Sequence, residues 1–180
     1  MREPATLKRD VLLRQRVTAL WGEGESRGFD AVIQKHADTL TVMGLSETGS
    51  MGFAIVLNDG EVELTNEMPM EFPFPPRYVL LDVQRAFYPW LQTAERGDGT
   101  HEEIVDGERV TETWLEGRLQ TRSFARLDAQ PPGDLVIHYE WGEADWSSPT
   151  FLRLDNGWFG YKLEIDTHAE TLLGSQDEAE

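Results

Sequence analysis

Tight-turn sequences between short apolar runs constrain this chain more than any other feature. Asn58-Asp59-Gly60, Asp106-Gly107 and Asn156-Gly157 supply residues that tolerate positive φ, as tight β-hairpins require. The runs on either side alternate apolar and polar residues, which is typical of half-buried strands in an antiparallel sheet. We therefore expect a meander in which each of these turns joins two neighbouring strands.

The spacing of turns and apolar runs predicts a mainly β (α+β) fold of about eleven strands. We expect them near residues 11–21, 29–35, 39–45, 51–57, 61–65, 101–105, 109–115, 118–127, 135–141, 150–154 and 158–166. In the last strand, the alternation predicts one apolar face made of Phe159, Tyr161, Leu163 and Ile165.

Residues 76–91 break the strand pattern and predict a helix. Apolar residues recur there at helical spacing, at Val79, Leu80, Val83, Ala86, Phe87, Trp90 and Leu91. The remaining polar face, with Arg77, Asp82 and Arg85, should then be exposed to solvent. Pro89 should kink the helix or begin a second short one. The apolar face is expected to pack on the concave face of a curved sheet.

Length and charge limit the organisation and the partners of the chain. Its 180 residues suit one domain, which we place at 1–174, followed by an acidic tail at 175–180. Asp and Glu total 33 against 16 Lys and Arg, and the net charge of -17 argues against binding to nucleic acid. The chain has no Cys, which excludes disulfides, thiolate zinc sites and Cys nucleophiles.

No motif in the sequence indicates catalysis. The four His residues show no i, i+2 or i, i+4 spacing that would place two metal ligands together, and no Ser lies in a Gly-x-Ser-x-Gly motif. We therefore predict no catalytic residue, no metal and no cofactor, and a protein that is not an enzyme. A hydrolase or isomerase in a barrel mouth is the enzymatic alternative, for which the sequence nominates no residue.

The segment Met68-Pro69-Met70-Glu71-Phe72-Pro73-Phe74-Pro75 sets four large apolar side chains on a backbone stiffened by proline. It is either a loop that fills the core or a hydrophobic rim over a lipid pocket. On the second interpretation the ligand-binding residues are Met68, Met70, Phe72, Phe74, Leu80, Val83, Phe87, Trp90, Met51 and Trp141.

Four segments carry a resemblance to a known family. They are Val11-Leu12-Leu13-Arg14-Gln15-Arg16-Val17, Thr39-Leu40-Thr41-Val42-Met43-Gly44-Leu45, Leu80-Leu81-Asp82-Val83-Gln84-Arg85-Ala86-Phe87-Tyr88-Pro89-Trp90 and Gly160-Tyr161-Lys162-Leu163-Glu164-Ile165. In order and spacing they resemble a family of bacterial lipoproteins of unknown function that is related to the LolA/LolB lipoprotein carriers. The resemblance runs from about Val11 to Thr167.

This resemblance implies a LolA/LolB-like fold, a curved open antiparallel half-barrel with a helix on its concave face. In the carriers, the enclosed apolar cavity holds acyl chains. An apolar loop residue between early strands serves acyl-chain transfer in the carriers, and Met51 is the nearest candidate here. The resemblance therefore implies a non-enzymatic, carrier-like protein of the cell envelope that binds lipid, or an acyl chain of a lipoprotein, as a monomer.

Two non-enzymatic alternatives stay open at this point. One is a structural or assembly factor with a filled core, and the other is a calycin-like binder of small hydrophobic ligands. The N-terminus, Met1-Arg2-Glu3-Pro4, has no apolar signal-peptide region. We expect the periplasmic side of the outer membrane if a lipoprotein signal and a lipidated Cys were removed, and the cytoplasm otherwise.

Overall fold

The computed structural model describes residues 1–22, 24–46, 48–68, 75–91, 97–142 and 146–174. These residues form eleven strands, one α-helix and a short 3-10 turn at Pro4–Thr6. The strands are β1 Val11–Trp21, β2 Glu25–His36, β3 Thr39–Leu45, β4 Met51–Asn58, β5 Glu61–Asn66, β6 Gly99–Val105, β7 Glu108–Leu115, β8 Arg118–Arg126, β9 Asp134–Glu140, β10 Phe151–Asn156 and β11 Tyr161–Leu172. The helix α1 is Pro76–Phe87.

All eleven strands belong to one open antiparallel sheet, in the order β5-β4-β3-β2-β1-β11-β10-β9-β8-β7-β6. The predicted mainly β fold with an open sheet is therefore confirmed. Consecutive strands pair with each other, with one exception: β5 and β6 do not pair and form the two edges of the sheet. The first and last strands, β1 and β11, lie side by side in its middle.

Two of the three predicted hairpins form as expected. Asp59 and Gly60 join β4 to β5, with φ of 48° and 76°, and Asp106 and Gly107 join β6 to β7, with φ of 54° and 82°. Positive φ at both central residues matches the twist of the flanking strands, which is why these residue types recur in such turns.

The third turn is longer than predicted. The expected strand start at residue 158 is wrong, because β11 begins at Tyr161 and Phe159 lies in the preceding loop, 48% exposed. The Asn156 side chain accepts a hydrogen bond from the Phe159 backbone N–H at 3.2 Å, which favours the longer loop. Gly160, at φ 71°, rather than Gly157 takes the left-handed conformation.

Helix α1 begins after Pro75 and ends at Phe87, short of the predicted residue 91. Pro76 occupies a first-turn position, where a missing N–H costs little. Tyr88 is extended, with φ -89° and ψ 153°, because a residue before proline disfavours the helical conformation. Trp90 and Leu91 are buried outside the helix.

Two of the three residues of the expected polar face of α1 are buried, which corrects the expectation that Asp82 and Arg85 face solvent; Arg77 is exposed as expected. Asp82 and Arg85 are each 7% exposed, and Gln84 between them is 0% exposed. Gln84 pairs with the backbone of Arg2, whose N–H donates to Oε1 at 2.8 Å and whose carbonyl accepts from Nε2 at 2.6 Å. The N-terminal segment therefore covers this side of the helix.

Contacts divide the chain into two compact units. Unit 1 comprises Met1–Arg16, Phe29–Tyr88 and Thr167–Glu180, and unit 2 comprises Val17–Gly28 and Pro89–Asp166. The assignment of 1–174 to a single domain stays a prediction, and the tail at 175–180 lies outside the described residues. Within the described ranges, no helix has the length and apolar character that a membrane crossing requires.

Candidate ligand-binding site

The core of unit 1 is a continuous cluster of buried side chains, which we call the unit 1 cluster. It consists of Leu7, Val11, Leu13, Ile33, Leu40, Val42, Phe53, Ile55, Leu57, Leu80 and Tyr88. Six further apolar side chains pack against it while only partly buried, and we call these the apolar rim: Phe29, Val62, Met68, Val79, Val83 and Phe87.

The sheet side of this cluster follows from period-2 alternation in β3 and β4. Leu40 lies opposite Leu57, and Val42 lies opposite Ile55, so both strands send these side chains to the same face. All four are at most 4% exposed. The same alternation leaves Met43 of β3 on the opposite face of the sheet.

A glycine and two aromatic rings shape one end of the cluster. Gly44 lies opposite Phe53, and a Cβ on Gly44 would come within 2.1 Å of Cε1 of that ring. Gly44 therefore makes the space in which the ring lies. Phe29 of the apolar rim meets Phe53 edge to face, with ring centroids 6.2 Å apart.

Met68 lies beside this end of the cluster, after the last residue of β5. The backbone N–H of Glu67 donates to the Gly52 carbonyl at 2.8 Å, and Asn66 Oδ1 accepts from the Met68 N–H at 3.1 Å. A Cβ on Gly52 would lie 3.5 Å from Met68 Cγ. These contacts hold the flexible thioether side chain of Met68 against β4.

The other side of the cluster comes from Leu80 of α1 and from Tyr88, the extended residue that directly follows the helix. Their side chains are 0% and 1% exposed. The Tyr88 hydroxyl is buried and has no hydrogen-bond partner among the described residues. Burial raises the pKa of this phenol, so its proton is retained over the whole physiological range.

Gln15 of β1 carries another buried polar atom in unit 1. Its side chain is 2% exposed, and its Nε2 donates to Thr167 Oγ1 at 3.1 Å. The Oε1 atom has no partner within the described part of the chain. Sequence analysis missed this residue, although the signal was present, because Gln15 interrupts an apolar alternation of Val11, Leu13 and Val17.

The structure brings some of the predicted ligand-binding residues together. Met68, Leu80, Val83 and Phe87 all belong to the unit 1 cluster or its rim. Met51, at the start of β4, is 39% exposed. Met70, Phe72 and Phe74 lie outside the described residues, and a ligand-binding role for the whole set stays a prediction.

Two predicted site residues, Trp90 and Trp141, belong to unit 2. Trp90 is 4% exposed and meets Phe124 edge to face, with ring centroids 4.9 Å apart. Trp141 donates from Nε1 to the Leu119 carbonyl at 2.8 Å, and the Arg118 guanidinium lies 5.7 Å from its ring centre. Both tryptophans thus have packing roles inside unit 2.

A buried ion pair lies in the core of unit 2. Glu112 of β7 and Arg122 of β8 are 0% and 3% exposed, and Oε1 of Glu112 lies 2.8 Å from both Nε and Nη2 of Arg122. Trp114 donates from Nε1 to the other carboxylate oxygen at 3.0 Å. The guanidinium also lies 6.0 Å from the ring centre of Tyr139, whose pKa burial raises to about 12.

Two grooves lie elsewhere on the described surface. One is lined by Asp134, Val136, His138, Arg153 and Asp155, and the other by Val56, Asn58, Asp59, Glu61 and Glu63. Within the described ranges, no three His, Cys, Asp or Glu side chains are grouped closely enough to hold a metal ion. Neither groove is lined by a residue of the unit 1 cluster.

Comparison with known proteins bears on the family and the fold. A family model described as "Protein of unknown function (DUF3261)" matches residues 12–169. The chain belongs to the DUF3261 family. This confirms the resemblance of the four sequence segments to a family of unknown function. No curated protein matches this DUF3261 chain.

Two solved structures are similar to this DUF3261 chain in fold. One is the LolA superfamily protein NE2245 from Nitrosomonas europaea, at a TM-score of 0.50 and 12% identity, covering 97% of this chain and 94% of that one. The other is a domain from Vibrio parahaemolyticus named for outer membrane lipoprotein sorting, at a TM-score of 0.50 and 8% identity, covering 98% and 94%. The DUF3261 chain is thus LolA-like in fold.

Proposed function

We propose that this protein is a non-enzymatic, carrier-like binding protein that accepts an acyl chain, from a lipid or a lipoprotein, at the unit 1 cluster. The observation that carries the proposal is the apolar rim. Its six large apolar side chains are continuous with a fully buried core and yet keep part of their surface in water. Such a layer offers a ligand apolar contacts that the protein itself leaves incomplete.

The energetics favour an acyl chain as the occupant. Each methylene group removed from water contributes about 0.8 kcal/mol, so a ten-carbon chain gains roughly 8 kcal/mol before the costs of ordering are subtracted. Met68 suits such a ligand because an unbranched thioether adapts its shape to varied apolar partners. Val83 and Phe87 would meet the chain from the helix side.

The LolA-like fold supports an assignment to the cell envelope. One solved structure of similar fold is named for lipoprotein sorting at the outer membrane. We place the protein on the periplasmic side of the outer membrane by analogy with that name.

Two measurements test the proposal. Native mass spectrometry of protein purified from cells should show co-purified lipid. In solution, a fluorescent fatty-acid analogue should bind, and Met68→Ser should weaken its binding. Met43→Ser is the matched control, since it makes the same change on the opposite face of β3 and should leave binding unchanged. Equal binding by the two variants, or no binding by the unaltered protein, would overturn the proposal.

Met70 and Phe72 need a separate variant, because they lie outside the described residues. If they form a rim over the pocket, replacing both by Ser should weaken the binding of the fluorescent probe and leave the melting temperature unchanged. A large loss of thermal stability without a separate loss of affinity would identify this segment as a loop that fills the core.

A structural or assembly factor with a filled core is the second candidate. It is favoured by the position of the two grooves, neither of which involves the unit 1 cluster. Pressure distinguishes the two candidates, because unfolding of a core with internal voids has a larger volume decrease. If the core is filled, the stability of the protein should change little with pressure, and no lipid should be bound.

A further inference from the structure

The buried hydroxyl of Tyr88 has no structural role that the described residues explain. A buried hydroxyl without a partner is costly, and proteins rarely keep one. The side chain belongs to the unit 1 cluster, whose other members are all apolar. Phenylalanine would fill the same space without leaving a polar atom unpaired.

We propose that Tyr88 is the hydrogen-bond donor to the carbonyl oxygen of an acyl ester or amide bound in unit 1. This inference rests on the acyl-chain function proposed above and names the part of the ligand that carries specificity. The hydroxyl gains a hydrogen-bond partner only when the ligand is present. A ligand with an acceptor atom should therefore bind more tightly than a ligand of the same size without one.

The chemistry of the site favours a neutral carbonyl over an ionised carboxylate. The members of the unit 1 cluster are apolar apart from the hydroxyl of Tyr88. The buried guanidinium of Arg85 in α1 already has a carboxylate partner, Asp82, at 3.9 Å. An unpaired carboxylate in such surroundings is strongly penalised by desolvation. The net charge of -17 opposes an anion further at long range. A neutral ester or amide avoids both penalties.

Gln15 supports the presence of a polar subsite within unit 1. Its Oε1 atom is buried without a partner in the described part of the chain and, like the hydroxyl of Tyr88, belongs to a residue at most 2% exposed. An amide oxygen accepts hydrogen bonds and cannot serve a carbonyl. The Tyr88 hydroxyl can donate, and we assign the donor function to it.

The test compares three ligands of similar length, each displacing the neutral fluorophore N-phenyl-1-naphthylamine: methyl laurate, the laurate anion and an n-alkane. The unaltered protein should prefer methyl laurate to the alkane. Tyr88→Phe should weaken the binding of methyl laurate about fivefold, the usual effect of one net hydrogen bond, and leave the affinity for the alkane unchanged. Laurate should bind most weakly to both proteins.

Tyr161→Phe is the matched control, because the Tyr161 hydroxyl already accepts a hydrogen bond from Asn156 Nδ2 at 2.9 Å. This control should lower the melting temperature and leave ester binding unchanged. Tyr88→Phe should keep or raise the melting temperature of the free protein. A clear fall would mean that the hydroxyl is already satisfied in the free protein, and would overturn the inference.

The remaining outcomes separate this inference from the proposed function. Binding of the ester and the alkane with equal affinity to unaltered protein and Tyr88→Phe would overturn the role of Tyr88 and leave acyl binding intact. Tighter binding of laurate than of its methyl ester would overturn the neutral-carbonyl assignment. Failure of all three ligands to displace the fluorophore would overturn both proposals.

Discussion

The ring of Phe53 lies over Gly44, its cross-strand partner, so closely that a Cβ on the glycine would come within 2.1 Å of ring carbon Cε1. The neighbouring atoms belong to a buried ring, which cannot move aside as a flexible surface side chain would. The space above Gly44 is therefore part of the design of the unit 1 cluster.

Gly44→Ala should destabilise the protein by about 1–3 kcal/mol, the usual cost of adding a group to a well-packed core. Urea denaturation measures the change. Gly97→Ala is the control, since among the described residues other than its chain neighbours no atom lies within 4 Å of the added Cβ. Shrinking the ring with Phe53→Leu in the Gly44→Ala background should recover part of the loss, and an unchanged loss would contradict the steric cause.

Leu80→Ala should lower the free energy of unfolding by about 2–5 kcal/mol, because this helix side chain is 0% exposed and belongs to the unit 1 cluster. Phe87→Ala should lower the free energy of unfolding by less than the same change at a completely buried Phe, since Phe87 is only partly buried. Arg77→Ala, at an exposed position on the same helix, should change the free energy of unfolding by less than about 0.5 kcal/mol. Equal losses for Leu80 and Arg77 would show that α1 is not packed as described.

Glu112→Gln should destabilise unit 2 by about 3–5 kcal/mol, because Arg122 would keep a buried charge without its partner. Replacing both residues together, with Glu112→Leu and Arg122→Met, should cost much less than either single change. Chemical denaturation of the four proteins in this cycle gives the coupling free energy.

The exposed pair between Arg109 and Glu102 provides the contrast on neighbouring strands. Its side chains are 50% and 55% exposed at an N···O distance of 3.3 Å. Glu102→Gln should change stability by only about 0–1 kcal/mol, because water and salt screen the exposed pair. A loss as large as that of Glu112→Gln would refute the role given to burial.

Asp10 should make stability depend on acid pH. The carboxylate accepts hydrogen bonds from Lys35 Nζ, at 2.6 Å, and from the Ala37 N–H, and these hold the pKa of Asp10 below its ordinary value of 3.8. A lowered pKa in the folded state means that the contribution is present above pH 3.8 and is lost as the pH falls through the folded-state value.

Asp10→Asn should therefore lower the melting temperature at neutral pH, and the difference from the unaltered protein should shrink as the pH falls below 3.8. Lys35 is only 5% exposed, so losing the carboxylate leaves its ammonium group poorly compensated. Asp38→Asn, at an exposed position nearby, should have little effect at any pH. A difference that stayed constant with pH would contradict the titration of Asp10.

Local chemistry made much of the fold predictable. Asp106-Gly107 specifies a hairpin by its own conformational preference, and α1 shows its period over twelve residues. The loop after Asn156 was not predictable in length, because it depends partly on a hydrogen bond from Trp158 Nε1 to the distant Gly133 carbonyl at 2.7 Å. Nonlocal contacts of this kind leave no periodic signal.

The candidate site was predictable only in its apolar part. Met68, Leu80, Val83 and Phe87 follow from composition and helical spacing. The burial of Asp82 and Arg85 does not, because the N-terminal segment that covers the helix meets it across 82 positions of sequence, from Arg2 to Gln84. Tyr88 looked like an ordinary aromatic beside a proline, and its unpaired hydroxyl shows only in three dimensions.

The two edges of the sheet have a consequence for how the protein behaves at high concentration. Both β5 and β6 carry exposed carboxylates, at Glu61, Glu63 and Glu102, so an edge of one copy would meet like charge on the edge of another. The range of this repulsion falls from about 10 Å in 0.1 M salt to about 3 Å in 1 M salt. High salt, which screens the carboxylates, and mild acid, which protonates them, should therefore let the edge strands of different copies pair and aggregate. In neutral buffer of low ionic strength the copies should stay apart.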